Sequence, residues 1–175
     1  LKFSYLKGII ESLLFVSEGP LRLDRVHEIL GDIPRKDIQK AMDELIQDYI
    51  SMDRSFYIVE VAGGYQFRTK AQYSDWIKKL KKPKQMRLGQ AALETLAIVA
   101  YKQPIVRAEI EKIRGVDSGA VIGGLLKKGL IRILGRKDLP GRPIIYGTSR
   151  RFLEVFGIKD LSSLPTLKEI ETIKE

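Results

Sequence analysis

Apolar positions recur along this chain with two alternating periods. Over Tyr5–Val16 they fall at Leu6, Ile9, Ile10, Leu13, Leu14 and Val16, the stripe of an amphipathic helix. Gly19-Pro20 breaks it. A short helix follows, with Val26, Ile29 and Leu30 expected inward and Gly31 as its C-cap. Pro34 opens a longer helix carrying Ile38, Met42, Leu45, Ile46 and Tyr49. The period then changes. Phe56–Val61 and Tyr65–Thr69 are rich in β-branched and aromatic residues around the turn Ala62-Gly63-Gly64, which predicts a hairpin. Tyr73–Leu80 adds a closing helix around Trp76.

The second half repeats the order. Leu93–Tyr101 is apolar nearly all round, which predicts a buried helix, and Lys102-Gln103-Pro104 breaks it. Arg107–Ile113 is a short helix closed by Gly115. Asp117 or Ser118 can N-cap a third helix holding Val121, Ile122, Leu125 and Leu126, and Gly129 stops it. Leu130–Leu134 and Pro143–Tyr146 are expected strands around a polar tip, Gly135–Arg142, and Ser149–Phe156 is a last helix.

The halves also align residue by residue. Glu11-Ser12-Leu13-Leu14-Phe15-Val16 matches Glu94-Thr95-Leu96-Ala97-Ile98-Val99 at an offset of 83. Gly19-Pro20-Leu21 matches Gln103-Pro104-Ile105 at an offset of 84, as does Val26–Gly31 with Ile110–Gly115. Two copies of one small fold explain this better than one large core. The predicted class is α+β, mainly helical: two tandem winged-helix domains, each of three helices plus a β-hairpin wing. The expected boundaries are 1–80 for the first domain, 81–88 for a basic linker, 89–157 for the second domain and 158–175 for a tail, where Leu161, Leu164 and Leu167 either pack or trail.

Charge sharpens this division. The 175 residues hold 31 Lys+Arg and 22 Asp+Glu, a formal net charge of +9. Residues 1–80 carry 12 basic and 12 acidic side chains, whereas 81–157 carry 16 and 6, so the excess belongs to the second half. An anionic partner is the natural expectation for such a surface. The boundary run Lys78–Arg87 contains Pro83, which disfavours helix at Lys82.

Candidate chemistry is sparse. There is no Cys, so no disulfide, thiolate nucleophile or Cys-based metal site is expected, and an intracellular setting is the easier reading. The single His, His27, excludes a His-based metal site and a Ser/His triad. Gly119 and Gly124 have phosphate-loop spacing, but Leu125-Leu126 stand where Lys-Ser/Thr is needed. No stretch approaches a membrane span, and Leu1-Lys2-Phe3-Ser4 lacks a signal-peptide core. The expectation is a protein without enzymatic activity, metal or cofactor.

The strongest local feature is Leu134-Gly135-Arg136-Lys137-Asp138-Leu139-Pro140-Gly141-Arg142-Pro143, a basic wing around a Pro-Gly turn. Pro fixes φ, so the tip would present Arg136, Lys137 and Arg142 at low entropic cost. Gly123-Gly124 in the third helix removes side chains where a DNA reader carries Arg, Asn or Gln, which argues for close helix approach instead of base readout.

The run Gly89–Ile105, with Arg107-Ala108-Glu109-Ile110, Ile113-Arg114-Gly115-Val116, the wing Gly135–Pro143 and Tyr146-Gly147-Thr148, resembles the bacterial segregation and condensation protein B family. The opening Leu6–Pro20 fits more loosely. Gly89 replaces the more usual Ser before its helix, and Gly123-Gly124 replaces a bulkier pair. The resemblance implies a homodimer formed through the first domain. It also implies binding to the kleisin, segregation and condensation protein A, and through it to the SMC ATPase, in chromosome condensation and segregation in the cytoplasm at the nucleoid. Beside it, the residue reading assigns Tyr101, Arg107, Arg114, Arg136, Lys137 and Arg142 to the partner surface, and Phe56, Tyr57, Tyr65 and Phe67 to the dimer interface. The basic second half leaves non-specific DNA contact open. The alternative is a DNA-binding winged-helix transcriptional regulator, with salt-sensitive duplex binding.

Overall fold

In the computed structural model of the chain, residues 2–81, 87–166 and 169 are described. The chain divides into two compact units, 1–84 with 157–175, and 85–156. Residues 82–86 of the expected linker and Leu167 of the expected tail lie outside the described residues.

The first unit contains α1 (Phe3–Val16), α2 (Leu23–Leu30), α3 (Arg35–Ser51), β1 (Phe56–Val61), β2 (Gly64–Thr69) and α4 (Ser74–Lys81). Leu6, Ile10 and Leu14 of α1 meet Ile38, Met42 and Leu45 of α3, and Val26 closes the core from α2. That spacing follows from apolar residues at three and four positions apart. Lys7 of α1 bonds Asp48 of α3 at 2.5 Å, which holds its ammonium pKa above the ordinary lysine value. Gly31 ends α2 with positive φ, as expected. Ile29, expected inward, is exposed: on this two-turn helix Val26 is fully buried and Leu23 and Leu30 are half-buried against the core. The closing helix forms, but Trp76 faces out and is 70% exposed.

The hairpin pairs Phe56 with Thr69 through to Val61 with Gly64. Ala62 and Gly63 both take positive φ, the two-residue turn whose twist suits a hairpin. Leu21 then adds a single rung: its N–H reaches the Tyr65 carbonyl at 2.7 Å, and the Tyr65 N–H returns to Leu21 at 2.8 Å. A Cβ on Gly64 would lie 3.0 Å from backbone atoms of Pro20 and Leu21, so this approach needs glycine. Residues beyond the second unit also belong here. The Ala62 N–H donates to the Ile158 carbonyl at 3.0 Å and the Gly63 N–H to Lys159 at 3.1 Å, while Lys159 pairs with Glu60 at 3.1 Å.

The second unit contains α5 (Gln90–Lys102), β3 (Ile105–Val106), α6 (Arg107–Arg114), α7 (Gly119–Lys127), β4 (Ile131–Arg136), β5 (Ile144–Thr148) and α8 (Arg150–Phe156). Its sheet order is β3-β5-β4, all antiparallel. Ile105 pairs with Tyr146, just as Leu21 pairs with Tyr65, so the sequence repeat is also a repeat of rungs. The register shifts between Ile133 and Gly135, which bends the wing. Each unit is therefore a winged helix: three helices, a short first rung and a two-stranded wing.

Of three local expectations one changes, one narrows to Asp117 and one holds. α5 is one-sided, with Thr95, Leu96, Val99 and Ala100 buried while Leu93, Ala97 and Tyr101 face out. Ser118 sits at the N-cap of α7 but makes no cap bond; Asp117 instead accepts the Gly119 N–H at 3.2 Å. Gly89 leaves α5 without a side-chain cap, as its lack of a hydroxyl implies.

Candidate partner-binding surfaces

The wing of the second unit is built from its turn outward. Arg142 and Gly141 take positive φ after Pro140, the Arg142 N–H donates to the Leu139 carbonyl at 2.8 Å, and the Lys137 N–H donates to Pro143 at 2.9 Å. Arg136 Nη1 donates to the Arg142 carbonyl at 3.1 Å. These bonds close the tip on itself, with Arg136 and Arg142 exposed on it. Lys137 points back to α6 and pairs with Glu109 at 2.7 Å. Glu109 also accepts the Val106 N–H at 3.0 Å, and Lys137 first, then that amide, holds its carboxyl below the usual range.

The other arginines are wired into the fold. Arg107 Nε donates to Glu111 at 2.6 Å and its guanidinium reaches Asp117 as well. Glu111 in turn accepts the Ser118 N–H at 3.0 Å, so one carboxylate ties α6 to the start of α7. The Ser118 amide and Arg107 both hold the Glu111 carboxyl below its ordinary pKa. The Arg114 side chain is only 8% exposed, bonding Ser118 Oγ at 2.9 Å and Glu94 at 3.4 Å. Of the six residues nominated for a partner, Arg114 is thus a strut inside the unit. Arg107 and Lys137 are exposed or half-buried but already paired, while Arg136, Arg142 and Tyr101 lie on the surface. Paired termini still present positive potential, but their partners must be displaced or shared.

Gly123 and Gly124 do not mark a close approach. Both are exposed, with nothing within 4 Å of a Cβ placed on either. The outward side of α7 is therefore bare backbone followed by Lys127 and Lys128. The close helix approach expected from this pair is thus not made among the described residues.

The first unit offers an apolar surface. Tyr49, Phe56 and Phe67 form a ring cluster with centroids 5.1–5.5 Å apart. Tyr49 Oη donates to Glu11, and burial, then that carboxylate, pushes the phenol up to about 12. Phe15 and Val16 stand over this cluster at the end of α1 and are 80% and 71% exposed. Together they line a groove of about 440 Å³. Phe56 and Phe67 thus border a surface groove and Tyr57 is exposed, but Tyr65 is buried in the core cluster that also holds Ile38 and Leu45. Val16 counts in the apolar stripe and so reads as core, whereas Phe15, apolar but off that stripe, is the signal in the sequence of an outward apolar surface. Among the described residues no group of three His, Cys, Asp or Glu side chains could hold a metal. No helix among them is long and apolar enough to cross a membrane.

A neutral winged helix with an apolar groove, joined to a basic winged helix with a closed, arginine-tipped wing, defines the class: a tandem winged-helix protein. The family model described as Segregation and condensation complex subunit ScpB matches residues 8–167, and the chain belongs to that family. Segregation and condensation protein B of Syntrophotalea carbinolica is 50% identical over 171 residues, covering 97% of this chain and 86% of its own. The protein of the same name from Moorella thermoacetica is 44% identical over 170 residues, covering 97% and 87%. A crystal structure of a dimer of ScpB N-terminal domain complexed with ScpA peptide is similar at 28% identity, covering 45% of this chain and 96% of that one, with a TM-score of 0.41.

Proposed function

We propose that this chain is a non-enzymatic subunit of the bacterial SMC–kleisin complex, working in the cytoplasm at the nucleoid. It forms a homodimer through the first domain, residues 1–80, and holds the kleisin through the second, residues 89–157. The family match over residues 8–167 carries this reading. The geometry supports the division of labour, because the apolar groove lies in the neutral unit and the arginine tip in the basic one. Arg136 and Arg142 are the groups best placed for a kleisin segment. Both are exposed on a closed turn, and Arg offers a planar fork for carboxylates and carbonyls. Arg107, Lys137 and Tyr101 supply the surrounding surface, and Arg114 supports it from within.

The DNA-regulator reading is weaker at α7. A reader places hydrogen-bonding side chains on that helix, whereas Gly123 and Gly124 leave its exposed side empty. Phosphate contact through the lysines and arginines remains compatible with the kleisin role.

The test is pull-down of the kleisin by the full chain carrying Arg136→Glu and Arg142→Glu together. Loss of capture with the dimer retained supports the assignment to the second unit. Undiminished capture by that variant overturns it. A parallel gel shift with specific and random duplex at two salt concentrations separates the regulator, which requires sequence preference.

A further inference from the structure

The helix α4 has eight residues and none of them is buried. Trp76 and Leu80, one helical turn apart and so on one face, are 70% and 84% exposed. An eight-residue helix is marginal in water by itself, and most helices are held by packing of an apolar face. The only tryptophan of the chain thus stands on the exposed side of a helix in which only Ser74 and Ile77 are half-buried against the described residues, with Lys79 Nζ 4.6 Å from its ring. On the same unit, the groove under Phe15 and Val16 is lined by Tyr49, Phe56, Phe67 and Glu11, and by no residue of α4.

We propose that α4 is a dimerisation arm: Trp76 and Leu80 of one copy dock into the Phe15–Phe56–Phe67 groove of a second copy. This rests on the homodimer reading above and names the faces that meet. Three observations select a second copy as the occupant. Trp76 and Leu80 are presented together by the folded chain itself, which suits a second copy, always at hand, better than a transient ligand. The charges match: Lys78, Lys79 and Lys81 flank the arm, whereas Glu11 lines the groove and Glu18 is exposed just beyond Val16. The exchange is also self-complementary, since each copy carries one arm and one groove, as a two-fold interface demands. An aromatic side chain buries about 150–250 Å². Two tryptophans and the equal areas they cover remove on the order of 600–1,000 Å², about half of a standard interface of ~1,600 Å² before Leu80 is counted.

Trp76 reports on its own docking. In the full chain its fluorescence should shift to the blue as concentration rises through the dimer range, in step with the mass from sedimentation equilibrium. Trp76→Ala and Phe15→Asp, both at exposed positions, should leave the melting profile in place and each weaken self-association. A central aromatic anchor contributes roughly 30-fold per contact, so loss at both contacts compounds to about 1,000-fold. An equimolar mixture of the two variants should regain part of the dimer, because one intact arm then meets one intact groove. A dimer untouched by Trp76→Ala overturns the arm while leaving the homodimer standing. A wild-type chain that stays monomeric at every concentration overturns both. Failure of the mixture to associate above either variant alone refutes the pairing of arm with groove.

Discussion

Gln103 sets a sharp test of how the second winged helix is held. β3 supplies only Ile105 and Val106 to the sheet, so β5 runs past its neighbour. The Gln103 side chain continues the ladder. Its Oε1 accepts the Thr148 N–H at 2.7 Å and lies 3.1 Å from Thr148 Oγ1, and its Nε2 donates to the Ala100 carbonyl at 3.2 Å. Thr148 is buried, so Gln103→Ala strands a backbone N–H away from water. An unsatisfied buried donor costs about 1–3 kcal/mol, more than the ~1 kcal/mol net value of a satisfied bond. A loss of about 2 kcal/mol is expected. For a unit of this size that moves the midpoint by roughly 8–16 °C, at about 4–8 °C per kcal/mol. Calorimetry should show the second unit's transition falling while the first unit's stays in place. Gln103→Glu keeps the acceptor for Thr148 but not the donor to Ala100, and should fall between wild type and alanine. A Gln103→Ala transition displaced no further than by an ordinary surface substitution would refute the claim that this amide is a structural rung.

Other outcomes follow from single positions. Gly64→Ala should destabilise the first unit in urea titration, because the new methyl meets the Leu21 and Pro20 backbone at 3.0 Å. Gly123→Ala and Gly124→Ala should each stabilise the second unit by about 0.8–1 kcal/mol, since both are helical and face open space. A melting-point loss at either would mean that something packs there. The Tyr49 phenol lies at about 12 against an ordinary 10, so the folded state holds its proton longer than the unfolded chain does. That contribution is present below pH 10 and is lost as pH rises from 10 to 12. In alkaline ultraviolet titration, Tyr49→Phe should remove one late-titrating tyrosine.

The repeat made the fold legible. The match of Leu21 with Ile105 predicts no strand at either; the structure puts one rung at Leu21 and two at Ile105 and Val106, which no strand-length pattern would reveal, because one or two residues carry no alternation. Periodicity misled where a helix was short or its exposed side apolar. Ile29 and Trp76 count as core residues on any hydrophobic tally, yet α2 and α4 are too short to bury more than a narrow strip. α5 looked enclosed because its outer side carries Leu93, Ala97 and Tyr101, which a periodicity cannot tell from core residues. The wing was visible from its Pro-Gly turn. What its neighbours do was not, since the ties of Arg107 and Arg114 to Glu111, Asp117, Ser118 and Glu94 depend on which helices meet.

The bonds from Ile158 and Lys159 to the first hairpin bear on the order in which the molecule is made. The turn amides of Ala62 and Gly63 have their acceptors nearly a hundred residues downstream, beyond the whole second unit. During synthesis the first winged helix emerges early and can gather its helices, as N-terminal units generally do. Its hairpin tip must wait, solvated, until the ribosome has delivered everything in between. Topologically the second unit is an insertion in the first, and a fragment cut at the linker is an unfinished domain.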